Sequence, residues 1–501
     1  MIRRDFGKTL LYILTYSGIL RLAKGVAAET QSNFPEVHGL TDYVARFIVE
    51  TPYQGIPSEV LELGKKSILD GLGLALAGSR AQSGPLCLRY LDTFGIRDGK
   101  STVIGSSRKT APQLAAFVNG VSIHADDYDD TQLSAAKDRV YGLLVHPTVP
   151  VLPGAFAIAE QGRVSGKEFM LAYHLGVEVE CKIAEAISPR HYQDGFHSTG
   201  TCGPFGSAAT CARLMHLDIP KTLHALGVAA AQSGGLRENF GTMTKPFQAG
   251  RAAESGFEAA ELASIGWTAA QQILEAQRGF FRAFGGSFDP SFIVDRLGNP
   301  WTFASPGISL KPYPSGSLTH PAMTEMVRLI EKHDVQPSQV DKVDIGANHN
   351  MTTTLLHHHP KTGLEAKFSM EFCLAILLLE RKAGLGQFTD QVARRPDVQE
   401  MIGKINYYVD PEAEQAGFDK MTSILRIHLR NGEVVAGRAE FGKGSPADPM
   451  SFEEAALKFR GCAEYAEWPK EKTEGIITFV KTLENAPDMK ILAPMLSSEK
   501  A

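Results

Sequence analysis

The chain has 501 residues, of which 43% are hydrophobic and 21% are charged, and its formal net charge is −5. This length and composition are typical of a globular protein with about two domains and large buried cores. The negative charge argues against a nucleic-acid-binding protein, since a surface that binds phosphates needs an excess of basic residues. The six cysteines include no C-x-x-C pair, which argues against a disulfide framework and against a zinc cluster.

The N-terminus has the order of an export signal. Arg3 and Arg4 precede a short apolar run over residues 9–20, and small residues follow. This order predicts a twin-arginine signal over residues 1–28 and a mature protein that is periplasmic or exported. The apolar run is too short to span a bilayer, so we expect no membrane span in the mature form. The alternative is a leader that does not act as a signal on a cytoplasmic protein, because two basic residues interrupt the pattern.

Helical signals dominate the first part of the chain. Apolar residues recur at helical spacing after Pro57 and stop at Gly78. Ser165 and Glu168 form a capping box ahead of a helix expected to run to about Ala186. Further helices are predicted from Pro220 to Gly234, over residues 250–265, and after the capping pattern Thr268-x-x-Gln271.

The composition changes after about Phe284, where proline, glycine and aromatic residues become frequent. Residues 340–345 have the pattern of a strand. The pair Asn431-Gly432 predicts a type I′ hairpin turn between strands at 424–429 and 433–438.

A second capping box, Ser451-x-x-Glu454, then returns the chain to helix. The predicted fold is therefore mainly α. It has a large all-helical domain at 35–280 and an inserted smaller α+β lid domain at 281–442. Helices at 443–495 are expected to return to the helical domain.

One short segment concentrates acidic residues. His124 is followed closely by Asp126, Asp127, Asp129 and Asp130. So many like charges repel one another unless cations compensate them. We therefore expect lysines or arginines from elsewhere in the chain to face this segment.

Such cations come later, each among small residues and prolines. Lys245 lies in Thr-Lys-Pro and Lys311 lies in Lys-Pro-Tyr-Pro, while His146 and His197 lie between the acidic segment and these lysines. Acids, histidines and lysines distributed in this way suit acid–base chemistry on a small anionic substrate.

Taken together, these motifs resemble the MmgE/PrpD family. The shared patterns are N-G-x-x-x-H-x-x-D-x-D-D-T, H-P, G-F-H, T-K-P and K-P-Y-P, and they span roughly residues 37–480. The family includes 2-methylcitrate dehydratase, cis-aconitate decarboxylase and iminodisuccinate epimerase. The resemblance implies a helical domain with an α+β lid, a homodimer, and a cleft between the domains that needs neither a metal nor a cofactor.

The resemblance also assigns roles to individual residues. The catalytic residues it implies are Asp127, His146 and His197, and the substrate-binding residues it implies are Thr131, Lys245 and Lys311. His320, which the family pattern does not assign, is expected to join the substrate-binding residues. The histidines are expected to transfer protons near neutral pH, and the lysines to bind carboxylates and stabilise developing negative charge. Asp127 is expected to orient a histidine or to act as a base itself.

Two positions and the length of one gap depart from the family pattern. Gly316 and Phe372 stand where the decarboxylase pattern has a histidine and a tyrosine, which argues against cis-aconitate decarboxylation. His320 lies one helical turn from Gly316 and is expected to replace the lost histidine in part. The gap over 132–145, before His146, is also longer than in the relatives and is expected to reshape the mouth of the pocket.

Several side chains remain open between structural and chemical roles. His124 suits packing as well as chemistry, and Asp126 is expected to be solvated. Arg237 either binds a substrate carboxylate or pairs with Glu238. The charged residues of 178–182 are expected to form a solvated helix face.

The predicted function is that of a metal-independent lyase that acts on a small polycarboxylic acid. We expect a hydro-lyase of the 2-methylcitrate dehydratase type, which removes a proton next to a carboxylate and expels hydroxide. One alternative is an epimerase or isomerase that abstracts the same proton without losing a leaving group. Others are a decarboxylase of a related acid and a carboxylate-binding protein without turnover.

Overall fold

The computed structural model describes residues 34–96, 99–133, 145–418 and 420–498. The predicted export signal at 1–28 and the insertion residues 134–144 lie outside the described residues. None of the described helices is both long enough and apolar enough to cross a membrane.

The fold is mainly helical, as predicted, with two small sheets. The helices of the first half are α1 (Leu40–Glu50), α2 (Ser58–Gly78), α3 (Ser83–Asp92), α4 (Pro112–His124), α5 (Thr148–Ala159), α6 (Gly166–Ile187), α7 (Arg190–Gln193), α8 (Ser198–Leu214), α9 (Ile219–Ala231), α10 (Thr244–Ser264) and α11 (Phe280–Gly285). Those of the second half are α12 (His320–His333), α13 (His349–Thr354), α14 (Gly363–Ala366), α15 (Met370–Glu380), α16 (Asp390–Ala393), α17 (Pro396–Ile402), α18 (Pro411–Gln415), α19 (Phe452–Tyr465), α20 (Lys470–Lys481) and α21 (Leu492–Leu496). The strands are β1 (Ser101–Thr102), β2 (Lys109–Thr110), β3 (Val340–Ala347), β4 (Ile405–Val409), β5 (Ser423–Leu429) and β6 (Val434–Ala439).

Helix α6 begins at the predicted capping box. The Ser165 hydroxyl accepts from the Glu168 amide at 3.3 Å, and the Glu168 carboxylate accepts from the Ser165 amide at 2.8 Å. The expectation of a solvated face over residues 178–182 was wrong, because nearly every residue of α6 is buried. Instead, the Glu178 carboxylate accepts backbone N–H groups from the chain around Thr302.

Helices α4 and α10 cross with their backbones in contact. A Cβ added at Gly250 would lie 2.6 Å from the carbonyl oxygen of Phe117, so only glycine allows this approach. The crossing brings the segment that follows α4 close to the first turn of α10. His124 and Lys245 are thereby carried to the same region of the molecule.

The helix predicted after Thr268 is absent, and residues 268–278 run as turns until α11 begins. Contacts with α1 explain the difference. The Leu274 amide donates to the Thr41 hydroxyl at 3.1 Å, and the Glu275 carboxylate accepts from that hydroxyl at 2.5 Å. Tertiary hydrogen bonds therefore override the local capping signal.

The four-stranded sheet has the order β4-β3-β5-β6, with β3 parallel to β4 and the other neighbours antiparallel. The predicted hairpin joins β5 to β6, but its loop is not the expected type I′ turn. Gly432 has a φ of 90°, whereas Asn431 does not have a positive φ. A three-residue loop that ends in a left-handed glycine fits this pattern and the hydrogen bond from the Leu429 amide to the Glu433 carbonyl.

Two large hydrophobic clusters stabilise the described chain. One contains residues of α2, α5, α6 and α19, and the other contains residues of α12, α15 and all four strands of the larger sheet. Helix α19 packs against α2 at Gly73, where an added Cβ would lie 2.8 Å from the Phe459 ring. The division into a helical domain at 35–280, a lid at 281–442 and returning helices at 443–495 stays a prediction.

Candidate active site

A cavity of about 820 Å³ collects most of the residues predicted for the site. Six of the seven predicted residues line it, namely Asp127, Thr131, His146, His197, Lys245 and Lys311. The seventh, His320, lies outside the lining. The cavity is therefore the candidate active site.

Ends of helices and one β-bridge place these side chains. His146 precedes α5, His197 is the residue before α8, and Lys245 lies in the first turn of α10. Thr131 forms an antiparallel bridge with Ser309, with N–H to carbonyl distances of 2.9 and 2.8 Å. This bridge aligns the acidic segment with the segment that carries Lys311.

Asp127 is the partner of both lysines. Its carboxylate lies 2.5 Å from the Lys245 Nζ and 3.2 Å from the Lys311 Nζ, and Lys311 also donates to the Asp127 carbonyl. Burial alone would raise the pKa of Asp127, but the charges of the two lysines outweigh it and hold this pKa well below its usual value. Asp127 is therefore ionised near neutral pH and pairs with both lysines. Its expected role as a base stays a prediction.

The carboxylate that orients histidines is Asp129 instead of Asp127. Its oxygens lie 2.9 Å from Nδ1 of His124 and 3.2 Å from Nδ1 of His146. The two histidine rings lie 4.5 Å apart between centroids, in an edge-to-face arrangement. Burial opposes ionisation of Asp129, yet the histidines lower its pKa well below the usual value.

His124 is almost fully buried, and burial lowers its pKa to about 4. The imidazole is therefore neutral near pH 7 and donates through Nδ1 to Asp129. Its Nε2 is buried and has no hydrogen-bond partner among the residues that the structure covers. His124 thus has a structural link to His146 through Asp129, a role that the sequence left open.

His197 is also buried, with Nδ1 at 2.7 Å from the Gln248 side-chain oxygen. Burial lowers the pKa of His197 well below its usual value, and the nearby His124 and Lys245 lower it further. Its Nε2 has no hydrogen-bond partner in the described parts of the chain. The Phe240 ring packs edge-on against this imidazole, 5.0 Å away, and lies 5.2 Å below the Lys245 Nζ.

The two remaining predicted binding residues differ in position. Thr131 lines the cavity, and its hydroxyl is buried without a hydrogen-bond partner in the described segments. His320 was expected to replace the histidine lost at Gly316, but its Nε2 lies 3.2 Å from the Ser315 carbonyl and its ring packs on Tyr313. Burial lowers the pKa of His320 to about 3, so it is neutral and does not bind carboxylate by charge.

The two departures from the family pattern also differ in position. Gly316 lines the cavity, and a Cβ there would lie 3.3 Å from the Phe368 ring. Phe372 does not line the cavity. It is fully buried in the second hydrophobic cluster, 5.3 Å from the Phe388 ring between centroids.

Asp126 was expected to be solvated, which was wrong. Its side chain is largely buried, and its carboxylate lies 3.1 Å from the Lys367 Nζ. Arg237 lines the cavity, and its Nη1 donates to the Tyr192 carbonyl instead of pairing with Glu238.

One group of side chains has the donors for a metal ion. Ligand atoms of His124, Asp129 and His146 lie within 4.8 Å of one another, and two histidines with a carboxylate form a set typical of zinc sites. The Nδ1 of His124 already hydrogen-bonds to Asp129, whereas the Nδ1 of His146 lies 3.2 Å from an Asp129 oxygen and has no hydrogen-bond partner in the described structure. The prediction that the site needs neither a metal nor a cofactor stays a prediction.

The residues that sequence reasoning missed are Asp129 as the partner of the histidines and Gln248 as the partner of His197. Asp129 lies in the motif that was singled out, but its role depends on the turn at Asp127, whose φ is 52°. Gln248 lies one helical turn from Lys245, and this spacing was the available signal.

Cations, a shared carboxylate and histidines around one cavity are suited to binding an organic acid and moving its protons. Residues 42–293 match the MmgE/PrpD N-terminal domain, and residues 313–485 match the MmgE/PrpD C-terminal domain. The chain belongs to the MmgE/PrpD family.

The chain is also similar to several cis-aconitate decarboxylases. It is 27% identical to the Homo sapiens protein over 452 residues, which cover 88% of this chain and 91% of that protein. It is 28% identical to the Mus musculus protein, covering 87% and 89%. A decarboxylase from Aspergillus terreus is also 28% identical, with coverage of 85% and 89%.

Proposed function

We propose that the protein is a lyase that removes a proton next to a carboxylate of a polycarboxylic acid and then eliminates water. It would act as a hydro-lyase of the 2-methylcitrate dehydratase type. One observation carries this proposal. The Nε2 of His197 is buried without a hydrogen-bond partner among the described residues, and His197 lines the same cavity as Lys245 and Lys311.

The first step needs a base that is neutral before the reaction. The lowered pKa of His197 keeps its ring unprotonated near pH 7. The Gln248 side-chain oxygen accepts a hydrogen bond from the protonated Nδ1 of His197, so the free lone pair of the ring is on Nε2. In the proposed step this nitrogen takes the proton from the carbon next to the carboxylate.

The electrons of that C–H bond move into an enediolate, whose negative charge needs stabilisation. Lys245 and Lys311 supply it as ammonium groups fixed near one point by Asp127. Since the lysines are buried, their interaction with developing charge is stronger than it would be in water.

The second step forms the carbon–carbon double bond and breaks the C–O bond of the leaving hydroxyl. His146 lines the cavity and would donate a proton to that oxygen, so that water leaves. Asp129 faces Nδ1 of His146 and stabilises the imidazolium that donates this proton. One proton thus moves to His197 and one leaves from His146.

Decarboxylation is the second candidate, because the relatives compared above are cis-aconitate decarboxylases. It would need a proton delivered to carbon after CO₂ is lost. Gly316 carries no proton donor at the position where the decarboxylase pattern has a histidine. This position favours the dehydratase proposal.

The test is NMR of the full-length protein in D₂O with citrate, 2-methylcitrate and cis-aconitate, with and without EDTA. We expect loss of a C–H signal and growth of an alkene signal, unaffected by EDTA. His197→Asn should abolish this turnover, while His358→Asn, which changes an exposed histidine paired with Glu371, should retain it. CO₂ release from cis-aconitate would instead support the decarboxylase, and deuterium exchange without elimination would support an epimerase.

If none of these acids reacts but they still raise the melting temperature, the protein binds carboxylates without turnover. Activity that depends on added metal after EDTA would contradict metal independence and would point to His124, Asp129 and His146. A homodimer and export through the N-terminal signal remain predictions for sedimentation and cell-fractionation experiments.

A further inference from the structure

Three cations line the cavity, and two of them share one carboxylate. Lys245 and Lys311 both contact Asp127, which leaves one positive charge in excess at that point. The third cation is Arg237, whose guanidinium contacts Tyr192 and forms no ion pair within the described residues. The lining residue Glu185 is 3.5 Å from the Lys182 Nζ, which offsets its charge. Arg237 is therefore the lining cation that no described carboxylate pairs with.

The Arg237 side chain is held in a fixed orientation. Nη1 donates to the Tyr192 carbonyl at 2.9 Å, and the guanidinium carbon lies 3.8 Å from the centroid of the Tyr192 ring. Stacking on an aromatic ring is favourable for a guanidinium. The Nε of Arg237 is nevertheless buried without a hydrogen-bond partner in the residues that the structure describes. A buried donor of this kind is costly unless a ligand completes its hydrogen bonding.

The backbone around Arg237 is joined to the segment that carries His197. The Arg237 amide donates to the Gly195 carbonyl at 2.9 Å, and the His197 amide donates to the Gly235 carbonyl at 3.0 Å. Leu236 and Phe196 form an isolated β-bridge between these two hydrogen bonds. Arg237 is thus placed at a fixed position relative to the proposed base.

Phe240 lies between Arg237 and Lys245 in the sequence, and its ring contacts Lys245. Phe240 lies three residues after Arg237 and packs against both His197 and Lys245. Phe292, Phe368 and Phe418 also line the cavity. Its volume of about 820 Å³ falls in the range of roughly 300–1,000 Å³ that is typical of sites for ligands of drug size.

We infer that Arg237 binds a second carboxylate of the substrate, separated from the reacting carbon by an apolar segment that packs on Phe240. The substrate class is therefore a polycarboxylic acid with an apolar spacer or substituent. This inference rests on the proposed function for the position of the reacting carbon. Lys245 and Lys311 bind the carboxylate at the reacting end, and Arg237 binds the far one.

The test compares acids of equal chain length that differ in the second carboxylate. Suberate and octanoate are titrated into the full-length protein by calorimetry. In the wild type, suberate should bind more tightly than octanoate by at least about tenfold, because a hydrogen bond to a charged group is worth that much. Arg237→Met should abolish this preference and leave octanoate affinity unchanged.

Two further variants make the result specific. Lys245→Met should weaken both acids, because it removes a cation from the shared end. Arg251→Met is the matched control, since Arg251 pairs with Glu254 at 2.9 Å outside the cavity lining, and it should retain the preference for suberate. Equal weakening of both acids by Arg237→Met, or no effect on either, would overturn the inference.

These titrations need no turnover, so they separate the two proposals. A preference for suberate that depends on Arg237 would stand even if no acid in the NMR panel reacted. Turnover that depends on His197, without any preference that depends on Arg237, would leave the lyase proposal intact and reject the second carboxylate site.

Discussion

Gln248 fixes the tautomer of His197. Its side-chain nitrogen donates to the Leu236 carbonyl at 3.1 Å, and a carbonyl can only accept, so the amide oxygen must face the imidazole. That oxygen lies 2.7 Å from Nδ1 of His197, which therefore carries the proton. The basic lone pair is left on Nε2.

Replacing Gln248 should therefore impair the chemical step more than binding. In Gln248→Leu the imidazole loses the acceptor that selects its tautomer, and kcat should fall by about 100-fold with a smaller change in KM. Steady-state kinetics on the substrate found by NMR measure this. The matched control is Gln232→Leu, since Gln232 donates to the Ser255 carbonyl at 3.3 Å outside the cavity lining. Equal kcat values for the two variants would contradict this role of Gln248.

Comparing Asp129→Asn with Asp126→Asn tests which aspartate of the acidic segment orients the histidines. Asp129→Asn replaces a carboxylate that faces His124 and His146, and kcat should fall by about 10²- to 10⁴-fold. Asp126→Asn changes a neighbouring acid that contacts Lys367 instead, and kcat should stay near the wild-type value. Melting temperatures of both variants show whether each still folds. A large loss of kcat only in Asp126→Asn would reject the assignment.

Glu180 should make the free energy of unfolding depend on pH, and the direction of this dependence follows from its pKa. Burial raises its pKa well above the usual value, and the nearby Asp130 raises it further. The folded protein therefore keeps a proton that the unfolded chain loses above its ordinary pKa of about 4.3. The free energy of unfolding declines as the pH rises from that value to the folded pKa. In Glu180→Gln this decline disappears, so the gain in melting temperature over the wild type should be larger at pH 8 than at pH 5.

Glu168→Gln, in the same helix, is the control for that experiment. Hydrogen bonds from Ser165 lower the pKa of Glu168, so its contribution has the opposite sign and is lost as the pH falls. A glutamine keeps the capping geometry at this position. If the melting temperatures of the wild type and Glu180→Gln changed in parallel with pH, Glu180 would be ionised in the folded protein as it is in the unfolded chain.

Introducing the phenol of the decarboxylase pattern at Phe372 should not produce decarboxylation. Phe372 is fully buried away from the cavity, so Phe372→Tyr places a hydroxyl in an apolar cluster and should reduce the free energy of unfolding by about 1–3 kcal/mol. Phe368→Tyr is the comparison, because Phe368 lines the cavity and is only partly buried. Denaturant unfolding and CO₂ release from cis-aconitate measure both effects. New decarboxylase activity in Phe372→Tyr would show that the side chain reaches the substrate.

Local signals predicted the helices and strands that local hydrogen bonds determine. The capping boxes at Ser165 and Ser451 mark the starts of α6 and α19, and the Asn431-Gly432 pair marks the hairpin. The capping pattern at Thr268 failed because Thr41, distant in sequence, accepts the hydrogen bond of the Leu274 amide, which a helix would need. Burial of α6 was also missed, since the charges of 178–182 imitate a solvated face.

In the candidate site, too, the sequence predicted the features that depend on local motifs and missed those that depend on tertiary contacts. Motif residues such as His146 and Lys311 were predicted because their patterns are short and contiguous, and the structure brings them to one cavity. The distinct partners of Asp127 and Asp129 were not predictable, because a left-handed turn at Asp127 decides which way each side chain points. The fixed position of Arg237 depends on a bridge between residues forty apart in the chain, for which the sequence has no local sign.

The sharing of Asp127 by two lysines has a consequence for selectivity among anions. An incoming ligand does not meet two uncompensated ammonium groups, because the Asp127 carboxylate contacts both lysines and offsets one of their two charges. The attraction for a simple anion is reduced accordingly. Chloride and other small anions, which form few directional hydrogen bonds and reach no second cation, therefore gain little by binding there. The site therefore binds simple inorganic anions weakly and favours acids that contact more than one cation.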